Sequence, residues 1–104
     1  MSNYEQKCRE DARLAILAEL ATQRDATLNS RSLAMVVEQI VPRRPPEWVE
    51  TQIDWLDGMG AVNVKRSELP GLGSVQLATL TKTGRMHVER RAYIAGVSLP
   101  ADED

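Results

Sequence analysis

The sequence contains no phenylalanine, and two tryptophans with two tyrosines are its only aromatic residues. The core must therefore come from Leu, Val, Ile and Ala. A chain of this length buries only about two-thirds of its unfolded surface, so such a core has little to spare, and self-association is expected. The single cysteine, Cys8, excludes an internal disulfide and a cysteine zinc cluster. No apolar run approaches the ~20 residues of a membrane helix. The opening Met-Ser-Asn-Tyr-Glu-Gln-Lys lacks the apolar stretch of a secretory signal. These absences point to a reducing, cytoplasmic setting without membrane contact.

What is present fits one soluble domain. The 104 residues are 42% hydrophobic and 27% charged, with net charge −2, too apolar for a disordered tail. The weakly acidic balance speaks against nucleic-acid binding through bulk charge. A single domain over 1–97 is expected, followed by an acidic C-terminal tail over 98–104 that ends in Asp102-Glu103-Asp104.

The spacing predicts a helix from Tyr4 to about Ala21. One stripe carries Ile16, Leu17 and Leu20 above Arg13, and a second carries Tyr4, Cys8, Ala12 and Ala15. Two apolar faces imply two contacts, the helix's own core and a partner subunit. Thr22 to Thr27 reads as a polar connection. Leu28 and Leu33 then bracket an Asn29 cap as a hydrophobic staple, opening a helix with Leu33, Val36, Val37 and Ile40 on one face. Pro42 stops it. Pro45 and Pro46 suit the first turn of a third helix, Glu47 favours its positive end, and Gly58 and Gly60 supply its exit near Met59. Ala61–Arg66 and Val75–Leu80 alternate as two strands around a turn at Leu69–Gly73. Thr81 caps a last helix expected to run to about Ala95. The fold class is thus mainly α with a β-hairpin, in the order α-α-α-β-β-α, which is that of a winged helix-turn-helix.

Leu56-Asp57-Gly58-Met59-Gly60-Ala61-Val62 resembles the exit from a winged-helix recognition helix into its first wing strand. Leu80-Thr81-Lys82-Thr83-Gly84 resembles the Leu-Thr-x-x-Gly that opens the helix after the wing in many bacterial regulators. Three further stretches resemble small ArsR-like winged-helix proteins of Mu-like phages and prophages, a likeness covering nearly the whole chain. They are Tyr4-Glu5-Gln6-Lys7 through Leu14-Ala15-Ile16-Leu17, Glu47-Trp48-Val49-x-Thr51-Gln52, and His87-Val88-Glu89-Arg90-Arg91 with Gly96-Val97. The resemblance implies a phage or prophage origin and a place in the host cytoplasm. Metal-sensing ArsR proteins use paired thiolates or clustered His and carboxylates. Cys8 and His87 each stand alone here, so no metal site is expected, and His87 reads as a surface or interface residue.

Charge bears on the DNA-binding reading that such a fold carries. On a helical wheel of 47–59, Trp48, Val49, Gln52, Ile53, Trp55, Leu56 and Met59 gather on one side. Glu47, Glu50, Asp54 and Asp57 gather on the other, and the segment holds no Lys or Arg. A duplex carries one negative charge per ~1.7 Å of axis, so this face is hostile to the major groove. It reads as a solvated surface or as a docking face for a basic partner. Candidate duplex contacts are the flanking cations Arg31, Arg43, Arg44, Lys65 and Arg66. Lys82, Arg85, Arg90 and Arg91 lie along the last helix, and Arg90 and Arg91 have an alternative as partners of Glu5, Glu10 or Asp11. Trp48 and Trp55 read as core anchors, with an interface hot spot as the alternative.

The terminal helices are expected to build a homodimer through Tyr4, Cys8, Met86, Tyr93, Ile94 and Val97. No glycine-rich phosphate loop, no nucleophile with a base and no metal constellation is present, so neither catalysis nor a cofactor is expected. The leading expectation is a DNA-associated transcriptional regulator gripping the duplex through its flanks. The alternative is a protein-interaction module of phage development or assembly, docking through the acidic third helix.

Overall fold

Asn29 begins the part of the chain whose local chemistry is clearest. Its side chain accepts the Ser32 N–H at 2.9 Å and caps a helix over Ser30–Glu38. In the computed structural model, which describes residues 3–101, the elements run α1 (Asn3–Ala21), β1 (Thr27–Asn29), α2 (Ser30–Glu38), α3 (Pro46–Gly58), β2 (Val62–Leu69), β3 (Gly73–Leu80) and α4 (Lys82–Val88). Four helices pack with one three-stranded antiparallel sheet of order β1-β3-β2. The radius of gyration, 13.1 Å, is that of a folded chain of this length.

Ile16, Leu17 and Leu20 of α1, Leu33 and Val37 of α2, and Val49, Ile53 and Leu56 of α3 form the core with Val62, Ala78 and Leu80 of the sheet. Leu28 and Leu33 both join that cluster, as a staple around Asn29 requires. Ile40, expected on the α2 core face, is instead 54% exposed and Val41 takes the interior place. The helix tightens at its end, with both the Ile40 and Val41 N–H groups on the Val37 carbonyl, and this shifts the inward position by one residue.

Three further expectations need correction. First, β1 falls partly inside the segment read as a polar connection. Three residues are too few for a visible alternation, and the strand exists through pairing with β3, Thr27 opposite Thr79 and Asn29 opposite Leu77. Second, the hairpin is longer and its tip shorter than expected. Pairing continues from Val62–Leu80 out to Leu69–Gly73, with Gly71 and Gly73 at positive φ closing the turn.

Third, α4 ends at Val88 rather than near Ala95. Arg90 adopts φ 63, and the Arg91 and Ala92 N–H groups both return to the Met86 carbonyl. The chain beyond it becomes a strap across α1. His87 holds this strap: its Nδ1 accepts the Ile94 N–H at 3.0 Å and its Nε2 lies 2.9 Å from the Ser98 carbonyl. Since Nδ1 accepts, Nε2 carries the proton and donates to Ser98. His87 is fully buried, neither at the surface nor at an interface.

The strap also corrects the dimer expectation. Cys8, Ile94 and Val97 belong to the chain's own core, Met86 is half-buried, and only Tyr4 and Tyr93 of the six stand exposed. Both faces of α1 are therefore used within one chain. Ser98, placed in the expected tail, donates its N–H to the Glu10 carbonyl and its hydroxyl to Asp11. Asp102, Glu103 and Asp104 lie outside the described residues. No helix among the described residues is long and apolar enough to cross a membrane.

Candidate functional site

The sequence marks α3 and the cations on either side of it, and the structure gives each a position. Helix α3 starts cleanly because Pro45 and Pro46 occupy its first positions. Val49, Gln52, Ile53 and Leu56 turn inward. Glu47, Asp54 and Asp57 are exposed and Glu50 is half-buried. Among the described residues, Asp54 alone of these four carboxylates makes a side-chain hydrogen bond, accepting from Gln76 Nε2 of β3 at 2.6 Å.

Gln76 is a residue the sequence reading passed over. It is 3% exposed, its N–H reaches Ser30 Oγ at 3.2 Å, and its Oε1 has no hydrogen-bond partner. The Asp54 carboxylate fixes the amide orientation, since only the NH2 end is attracted to it. The signal was present: by alternation Gln76 shares a face with buried Ala78 and Leu80.

The five cations separate into different environments. Arg31 is exposed at the start of α2 and donates from Nη2 to the Leu72 carbonyl at 3.1 Å, joining α2 to the hairpin tip. Arg43 is exposed in the α2–α3 turn. Arg44 turns back onto α1, its Nη2 2.8 Å from Glu5 Oε1 and its guanidinium 5.1 Å over Trp48. Lys65 and Arg66 are both exposed on β2. Arg66 stands opposite Gln76 and Lys65 opposite Leu77; cross-strand partners share a face and successive residues alternate, so these two point to opposite faces of the hairpin. Arg66 thus shares its face of the hairpin with Gln76, the residue that holds Asp54, while Arg31 is tied to the hairpin tip. Lys65 is set apart, and Arg44 is drawn inward.

Comparison with family models, with curated proteins and with solved structures finds no match to this chain.

Several other charged side chains are tied into the scaffold. Arg91 pairs with its neighbour Glu89, Asp11 takes Lys7 and Ser98, and Arg90 donates to the Pro100 carbonyl. Arg13 is 6% exposed and faces no carboxylate within ion-pair distance among the described residues. It donates to Gln52 Oε1 at 3.0 Å and to the Gly96 carbonyl at 2.9 Å, and lies 3.8 Å over the Trp55 ring. Burial, and secondarily the charge of Arg9, hold its pKa below the ordinary guanidinium value. Trp48 and Trp55 are each half-buried against the core, and each has a guanidinium over its ring, Arg44 on Trp48 and the buried Arg13 on Trp55. Cys8 is buried, and both His87 nitrogens are occupied.

Proposed function

We propose that the chain is a winged-helix domain, a non-enzymatic DNA-associated regulator that holds a duplex through residues flanking α3. The observation that carries this reading is the pairing of β1 with β3 between α1 and α2. It makes the order α1-β1-α2-α3-β2-β3, in which α2 and α3 form the helix-turn-helix pair and β2-β3 the wing. The likeness to small ArsR-like proteins of Mu-like phages and prophages points the same way, and with it to the host cytoplasm. Arg31, Arg43 and Arg66 supply the phosphate contacts, with Lys65 on the outer strand of the wing. Arg44, held by Glu5, contributes less. The outward carboxylates of α3 keep that helix from the base edges.

The test is duplex affinity across a salt series. With three to four phosphates neutralised at ~0.9 each, log affinity falls against log salt with a slope of about −3. Binding that ignores salt, or none at low salt, overturns the reading. A second reading rests on Glu47, Glu50 and Asp57, which make no side-chain hydrogen bond or ion pair among the described residues: α3 docks a protein with a basic surface, in phage development or assembly. It predicts capture of such a partner that is lost when Glu50 and Asp54 become Lys.

A further inference from the structure

Three non-glycine residues occupy the left-handed region: Ala26 at φ 59, Arg43 at φ 68 and Arg90 at φ 63. L side chains stay there only when their surroundings hold them. Ala26 has its reason inside the fold, with its methyl packed against the core and its carbonyl taking the Leu80 N–H at 2.9 Å. Arg90 has one too: it closes α4, its N–H reaches the His87 carbonyl at 3.1 Å, and its guanidinium binds the Pro100 carbonyl.

Arg43 has no such reason. It is exposed and makes no hydrogen bond or ion pair among the described residues. Its surroundings, Pro42-Arg43-Arg44-Pro45-Pro46, explain where the strain falls. Proline fixes φ at three of these positions, and the residue before Pro45 is restricted to extended backbone. The reversal between α2 and α3 is left to position 43, where glycine would make it without strain.

We infer that the Arg43 guanidinium is kept in this turn, against local stability, as the phosphate anchor of the proposed DNA-contacting surface. This rests on the reading above. The first helix of a helix-turn-helix pair crosses the duplex backbone, and Arg43 lies in the turn that leads from it to α3. A free guanidinium fork matches a phosphodiester oxygen pair. Arg44, already bonded to Glu5 and stacked over Trp48, is structural.

Affinity for a mixed-sequence duplex of about 25 base pairs, measured by fluorescence anisotropy over a salt series, tests this beside thermal unfolding. Arg43→Gly raises Tm by roughly 2–5 °C. It also lowers affinity roughly three- to tenfold near 0.1 M salt and reduces the salt slope by about one. Arg43→Ala loses the same affinity with no gain in Tm, and Arg43→Lys, which keeps the charge but not the fork, recovers only part of the affinity. If the wild-type chain binds with a steep salt slope and Arg43→Gly binds equally well, the anchor assignment is wrong and DNA association stands. If the wild-type chain shows no salt-dependent binding, both fall. An unchanged or lower Tm in Arg43→Gly refutes the claim that stability is given up at this position.

Discussion

Single residues here act through close approach and through filled hydrogen-bond sites rather than through size. Thr81 caps α4, accepting the Gly84 N–H at 3.1 Å while its hydroxyl donates to the Gly60 carbonyl at 2.6 Å. Gly84 is required because a Cβ there would lie 2.3 Å from the Ala61 carbonyl oxygen and 2.7 Å from Leu80 Cδ1. The Leu-Thr-x-x-Gly pattern therefore has a local physical cause: a cap, then a contact between helix and strand that admits no side chain. Gly84→Ala should lower stability by about 1–3 kcal/mol, since backbone must move to admit the methyl. A shift of the urea midpoint at unchanged m-value checks this. Gly96 plays the matching part on the strap, where a Cβ would meet Trp55 at 2.6 Å. Its carbonyl also takes the Arg13 guanidinium, so a buried cation without a carboxylate is satisfied by amide dipoles and an indole face.

At the scale of elements, the strap is the feature that departs most from expectation. His87→Ala should cost roughly 2–4 kcal/mol, because it leaves the Ile94 N–H and Ser98 carbonyl unpaired beside a cavity. Amide hydrogen exchange should rise first at Ile94 and Val97, while the α1–α3 core keeps its protection. Uniform loss of protection would contradict a locally fastened strap. The sequence made some elements legible and others not, for reasons that differ by residue. The starts of α2 and α3 were readable because Asn29 and the Pro45-Pro46 pair act through neighbours only. The end of α4 was not, because Met86, Tyr93, Ile94 and Val97 repeat at a spacing that a helix and this strap both satisfy. What decides is Arg90 in the left-handed region and the two nitrogens of His87, a tertiary arrangement. Likewise β1 is three residues defined by β3, so no local pattern announces it. The candidate cations could be found by type, but that Arg44 turns to Glu5 whereas Arg43 does not depends on where α1 lies.

For the molecule as a whole, the arrangement opposes two charge distributions. The exposed side of α3 is acidic, while cations stand at the start of α2, in the α2–α3 turn and on the β2–β3 hairpin. For the proposed regulator, attraction of a duplex to the second must exceed repulsion from the first, and both weaken with salt over a Debye length of about 10 Å at 0.1 M. The dimer expected from two-faced terminal helices has lost Cys8, Ile94 and Val97 to the interior of one chain, so the proposed contacting surface belongs to a single copy. In the proposed mode of binding, α3 does not read bases. The most direct measurement is duplex affinity of a variant with Glu47→Gln, Glu50→Gln and Asp57→Asn, which keeps the shape of α3 and removes three charges. The account predicts binding several-fold tighter at low salt, equally on all duplex sequences. Weaker binding, or a preference for particular sequences lost with those carboxylates, would contradict it, since acids that accept from cytosine belong to a helix lodged in the groove.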